Sequence, residues 1–317
     1  MITQRVREFL DNCDQIVNQA VFKSRENQDW RKFEMEMLSI ELIVMEKMKK
    51  NCRAHLIGLH RIGLSTDSEN VHLLLDIGDT YYDKADLEKY AGQILLLNEF
   101  MKVDENWKVL KVYLGSPAIK CVYKETNQVF LIIISNGYKA QLSKTIGHLF
   151  KIQSPEILNF YHFLRIYIID LGEIRLKHFQ IIIMIIFYLQ KHDFLPSILD
   201  IQSGVREVLI DGTPVQCDSN RLLKHYHGTR KMNNYKDHIY PFFKFYKKFN
   251  FPQRIIDLHR AIDIKLEDYS CRSFWRFNVM NSVVLDFEQN ASNTVREEDI
   301  EDFVELCIAS CDLFRDY

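Results

Sequence analysis

A chain of 317 residues, 47% hydrophobic and 26% charged, has room for two domains and enough apolar content to fill their cores, which excludes a largely disordered protein. Its formal net charge of −2 excludes a global pull toward nucleic acid or an acidic membrane, so any RNA-binding surface must be a local basic face. The seven cysteines are odd in number, scattered and without paired-ligand spacing, as expected of reduced thiols inside a cell.

The first residues mix Arg5 and Arg7 with Glu8, Asp11 and Asp14, which predicts a surface helix and not a signal or transit peptide. Cytoplasm or nucleus is the expected compartment, with mitochondria left open. Apolar residues at Val6, Phe9, Leu10, Cys13, Ile16 and Val17, and again at Phe33, Met37, Ile40, Val44 and Met48, keep helical spacing, so residues 1–50 read as two helices broken between Asn27 and Trp30. From Cys52 the period shortens. "CRAHLIG" and "VHLLLDIG" read as strands around a glycine-containing loop, followed by a helix from Lys84 to about Phe100. "WKVLKVYLGSPAIKCVYK" and "KCVYKETNQVFLIIISNG" then supply further strands, the latter turning at Glu125, Thr126 and Asn127.

The remainder reads as helices over residues 155–171, 177–191, 238–249, 254–265 and 297–314. "FQIIIMIIFYL" is about half of the ~20 residues needed to cross a bilayer, so it reads as a buried helix. Cys307 and Cys311 lie one helical turn apart, and without a second ligand pair they read as core. Asn290-Ala291-Ser292 matches a glycosylation acceptor and reads as a surface turn.

The stretch "GLHRIGLSTDSENVHLLLDIG", together with the strand-turn-strand ending in Asn136 and Gly137, resembles the palm of the terminal RNA nucleotidyltransferases, the poly(A) polymerase-related and terminal uridylyltransferase family. "HFQIIIMIIFYLQKHDFLPSILDIQ" is similar to that family's central helix, and "YPFFKFYKKFNF" to the first helix of its poly(A) polymerase-associated module. "FNVMNSVVLDFEQNASNTVREEDIEDF" is similar to the closing segment of that module, with Asp286-Phe287 and Asn290-Ala291 at its two marker positions. The resemblance implies an α+β protein, with a nucleotidyltransferase-like palm of mixed sheet and helices over 51–140. A larger all-helical central and associated domain is implied over 141–317, with the helices of 1–50 packing on it.

Aligned with the family pattern, its Gly-Ser turn falls on Gly58 and Leu59, its second glycine on Gly63, and its Ser-Asp-x-Asp unit on Glu69, Asn70, Val71 and His72. Its third aspartate falls on Leu131. The resemblance implies two divalent cations held by three carboxylates, and hard cations demand oxygen ligands that Asn70, His72 and Leu131 do not provide. No catalytic residue, metal or cofactor is therefore expected; magnesium or manganese belongs only to the alternative of an active enzyme. Asp67, Glu69, Asp76 and Asp79 are near in sequence but do not restore two carboxylates two apart on one strand. His72 reads either as a ligand to a changed metal or as a strand residue facing a cleft.

The family's two triphosphate-binding basic positions fall on Ile168 and Gly172 or on Ile169 and Glu173, neither pair basic, with Arg175 and Lys177 just beyond. Asn136, at the family's sugar-contacting position, and Phe179, at its base-stacking position, read as a vestigial nucleotide site with Gly58 and Leu59, or else as a turn cap and a core residue. The run from Arg221 to Arg254 interleaves cations with aromatic residues and makes Lys224, Arg230, Lys231 and Lys236 candidate RNA contacts. It also fits an ordinary helix with solvated lysines. The expected function is that of a pseudo-enzyme acting in RNA 3′-end metabolism by binding RNA or a protein, such as an active relative, with no role for membrane or DNA. The alternatives are an active poly(A) polymerase or uridylyltransferase and a purely structural protein.

Overall fold

The computed structural model describes residues 4–27, 30–66, 70–77, 87–114, 117–134, 145–150, 153–205, 208–210, 213–215, 230–265, 267, 278–279 and 295–315. The chain forms two compact units, one of residues 22–147 and 207–215, the other of residues 1–21, 148–206 and 216–317.

The first unit is built on a five-stranded sheet of β1 (Arg53–Ile57), β2 (Val71–Asp76), β3 (Trp107–Tyr113), β4 (Ala118–Tyr123) and β5 (Gln128–Ile134). Their order is β1-β2-β5-β4-β3; β2 and β5 run parallel and the other neighbours antiparallel. Alternation decides the faces. Val71, Leu73 and Leu75 of β2 join Phe130, Ile132 and Ile134 of β5 and Ile119, Cys121 and Tyr123 of β4 in one buried cluster. The residues between them point to the other face.

Helices α3 (Glu34–Lys47) and α5 (Leu87–Val103) add Ile40, Ile43 and Val44, and Ile94, Leu97 and Met101, to that cluster. Ile40, Ile43 and Val44 of α3 pack on the sheet, and three polar contacts hold the helix in place. Trp107 Nε1 donates to Ser39 Oγ (3.0 Å), Thr126 Oγ1 to Glu36 Oε1 (3.1 Å) and the Ala54 N–H to Glu41 Oε1 (2.6 Å). Of the helices in the first 50 residues, α3 thus covers the sheet, whereas α1 (Gln4–Asp11) belongs to the helical unit, where Phe9 packs on Phe163.

The second unit centres on α7 (His178–Lys191), whose residues from Gln180 to Gln190 are all buried. It packs with α6 (Glu156–Arg165), α9 (Ile239–Lys247) and α10 (Glu297–Leu313) around Phe160, Tyr188, Phe242, Tyr246 and Phe303. The Tyr246 hydroxyl donates to the Met184 carbonyl (2.7 Å), which satisfies a polar group in a wholly apolar setting. The short helix α8 (Ile198–Ile201) follows α7, and α2 (Cys13–Glu26) follows α1.

Two expectations about this unit are corrected. It is not all-helical: residues 254–265, expected to be a helix, form strands β8 (Arg254–Asp257) and β9 (Ile262–Lys265), and β10 (Asn278–Val279) pairs on the other side of β8. Ile255, Ile256, Ile262 and Ile264 are β-branched and favour the extended chain, while Ala261 at φ +59° and the buried Asp257, which accepts the Arg260 N–H, close the turn. The helix expected over 155–171 is also wound more widely in its last six residues, Ile166–Leu171, which form a π-helix. A separate hairpin, β6 (Val208–Ile210) with β7 (Thr213–Val215), groups with the first unit.

Phe130 is fully buried and meets the rings of Phe33 and Trp107, whereas its neighbour Leu131 is half-buried on the opposite face. Phe130→Ala should therefore lower unfolding stability by roughly 3–5 kcal/mol and Leu131→Ala by much less, measured by urea denaturation.

Candidate functional site

The positions aligned with the family's metal ligands lie in the middle of the sheet. β2 and β5 pair so that His72 stands directly beside Leu131, with Asn70 one residue ahead of β2. On the other side His72 faces Ile57 of β1. Leu131 in turn faces Lys120 of β4, and Lys120 faces Lys111 of β3. Ile57, His72, Leu131, Lys120 and Lys111 thus form a single row across all five strands, on the face away from α3 and α5. Ile57 and Leu74 are buried there with Ile133 packed against them, and exposure rises along the row toward Lys111.

The loop beside His72 is built from the glycines singled out in the sequence. Gly58 has φ +66°, and a Cβ there would stand 3.5 Å from His72 Nδ1; Gly63 has φ +86° and ends the short helix α4 (Gly58–Ile62), its N–H donating to the Leu59 carbonyl. His60 Nε2 and Ser65 Oγ are 2.9 Å apart and both side chains are buried, which locks the loop. Burial, and to a lesser degree the neighbouring His72, push the His60 pKa down to about 4. Nothing in the spacing of the sequence pointed to the His60–Ser65 pair.

The donor set does not fit a hard divalent cation. The amide of Asn70 supplies one weak oxygen, the imidazole of His72 a nitrogen better suited to borderline transition metals, and Leu131 no donor. Among the described residues no three His, Cys, Asp or Glu side chains gather into a metal-holding group. Asp76 is on β2 but four residues from His72, about 13 Å along the strand. Asp67, Glu69 and Asp79, together with Asn136 and Lys224, lie outside the described residues.

In the helical unit one of the two registers aligned with the triphosphate-binding residues, Ile168 and Gly172, has structural duties. Ile168 is fully buried. A Cβ at Gly172 would come 2.7 Å from the Ile168 carbonyl, because the π-helix brings that backbone close, so no lysine or arginine fits there without moving the main chain. Glu173 pairs with Arg5 at 3.5 Å. Phe179 is the second residue of α7 and half-buried, and His178 before it meets the Tyr161 hydroxyl at 2.9 Å.

Of the described RNA-contact candidates, Lys236 donates to Asp14 at 2.7 Å and Arg230 lies over the Phe194 ring at 4.7 Å. Lys231 is exposed.

Comparison with known proteins places the architecture. No protein-family model and no curated protein matches the sequence. Solved structures do. mtPAP in complex with GTP superposes with a TM-score of 0.75 at 13% identity, over 89% of this chain and 63% of that one. A cytoplasmic RNA terminal U-transferase gives 0.73 at 13% identity, over 98% and 95%. Cid1 with its short product ApU gives 0.75 at 14% identity, over 98% and 94%. The fold is α+β and nucleotidyltransferase-like. The chain spans 63% of the mtPAP chain and nearly the whole of the other two. Among the described residues no helix is long and apolar enough to cross a membrane.

The helical unit also stores a response to acid. His162 is fully buried and neither ring nitrogen has a hydrogen-bond partner; burial, then Arg165 and His178, push its pKa down to about 3. Burial and Arg165 push His178 down to about 4. The folded state therefore keeps these rings neutral while the unfolded chain protonates them near 6.5, so stability is full above that pH and falls as pH drops from about 6.5 toward 4. The thermal midpoint should decline between pH 7 and pH 5, and His162→Leu should flatten the decline.

Proposed function

We propose that this chain is a nucleotidyltransferase-fold protein that serves RNA 3′-end metabolism by binding and not by nucleotide transfer. One observation carries the reading. The two positions that face each other across β2 and β5, where the family resemblance puts carboxylates, hold His72 and Leu131, and the third holds Asn70. Transfer of a nucleotide needs positive charge held where the attacking hydroxyl and the leaving pyrophosphate develop negative charge, and these side chains offer no anchor for it.

Other features agree. Leu59 replaces a hydroxyl donor, and Ile168 and Gly172, or Ile169 and Glu173, replace two cations, so the grip on a triphosphate is weak as well. Carboxylates crowded together without a metal repel one another, so their loss stabilises a fold that no longer uses them. mtPAP in complex with GTP and Cid1 with ApU carry nucleotide and RNA on the same architecture, which makes RNA the ligand of first choice here. A protein partner, such as an active relative, is the second choice. Met35, Leu38, Leu42 and Met45 expose an apolar stripe along α3 that suits one.

The test is tailing of a labelled oligoribonucleotide with each nucleoside triphosphate, in magnesium and in manganese. The unaltered protein should leave the 3′ end unextended. The Asn70→Asp, His72→Asp, Leu131→Asp variant should stay silent too, because Leu59 and Gly172 still deny the triphosphate its contacts. Robust extension by the unaltered protein would establish the alternative, an active RNA nucleotidyltransferase. Calorimetry should show ATP and UTP binding weakly and with no gain from magnesium.

A further inference from the structure

The segment from Trp107 to Lys124, "WKVLKVYLGSPAIKCVYK", holds four lysines and no acid in a chain whose net charge is −2. The strand register decides where three of them point. Val109 and Val112 pack against the buried core, and the ladder shifts between Val109 and Lys111, so Lys108, before the shift, and Lys111, after it, both stand on the opposite face. There Lys111 sits directly across from Lys120, and Lys108 across from Val122. Lys108 and Lys111 are exposed and Lys120 half-buried.

Among the described residues none of the three pairs with a carboxylate. Like charges directly opposite on neighbouring strands destabilise a sheet, and an anion between them removes that cost. Lys111 lies 5.0 Å from the ring of Tyr113, which sits half-buried on the same face. Cations beside an accessible aromatic ring are the makings of a single-strand site, with phosphates on the ammonium groups and a base against the ring. The row continues through Leu131 to His72.

Resting on the reading that the protein binds RNA, we infer that the β3–β4 face of the sheet, through Lys108, Lys111, Lys120 and Tyr113, is a metal-independent site for the phosphate backbone of single-stranded RNA. Positive side chains there do the electrostatic work that bound cations would do beside carboxylates. The alternative location, residues 230–236, is less suited because Lys236 is neutralised by Asp14.

Fluorescence anisotropy with a labelled single-stranded oligoribonucleotide, in EDTA and over a series of salt concentrations, tests the site. Lys108→Gln, Lys111→Gln, Lys120→Gln together should weaken binding at least about tenfold and lower the magnitude of the log-log salt slope by about 2, at about 0.7 per phosphate on a single strand. Tyr113→Ala should weaken binding about tenfold with the slope unchanged. A control of equal charge loss, Arg7→Gln, Lys32→Gln and Lys47→Gln, all at exposed positions, should keep both affinity and slope. Undiminished binding by the lysine variant would overturn the β3–β4 site and leave the RNA-binding reading standing. Absence of binding by the unaltered protein would overturn that reading itself, and capture by phosphatidylserine vesicles with none by RNA would give the face to a membrane instead.

Discussion

The parallel pairing of β2 with β5 is the constraint on which the sheet unit depends. Two parallel neighbours cannot be joined by a tight turn, so the chain must leave the end of β2, run through α5, β3 and β4, and return. That detour places α5 beside α3 on one face and extends the sheet outward through β4 to the β3 edge. It also fixes His72 against Leu131. A slip of one residue in either strand would turn its whole apolar set, Phe130, Ile132 and Ile134 for instance, away from the helices. The burial of those side chains, each of the order of 2 kcal/mol, therefore holds the row through His72 and Leu131 in register.

With the register held, the chemistry of the open face depends on which side chains occupy one row. A row carrying carboxylates would gather cations; this one carries an imidazole, two hydrocarbons and two ammonium groups, and its field has the opposite sign. The backbone is indifferent to that exchange, because the side chains concerned project away from the core. The same freedom is compatible with a nucleotidyltransferase-like architecture at 13–14% identity to the solved structures it superposes on. The helical unit shows the complementary case. There Ile168 is committed to packing and Gly172 to a close main-chain approach, so neither position is free to change its side chain.

Much of this was legible in the residues. The short apolar runs of β2, β4 and β5, the turn at Asn127 and the apolar helix α7 all appear where the residues predicted them. The stretch 254–265 was not, because four isoleucines at mixed spacing satisfy a helical pattern as well as two short strands, and only the turn held by Asp257 separates the two. α3 was assigned to the wrong neighbour for a related reason: its stripe of Ile40, Val44 and Met48 says that the helix has a partner and not which one.

The sequence by itself determined that Asn70, His72 and Leu131 carry no carboxylate whatever their surroundings, and identity alone decides how a side chain binds a cation. It also carried the fold class, through the resemblance of its motifs to the nucleotidyltransferase palm and not through local periods alone. Only the tertiary structure decided which side chains are gathered in one row with them. Lys111 and Lys120 are nine residues apart and His72 far from both, and no local pattern states that a shift in one ladder and a parallel pairing in another set them on one row. Charge acts through space and not along the chain, so a basic face inside an acidic protein becomes visible only when the strands are paired.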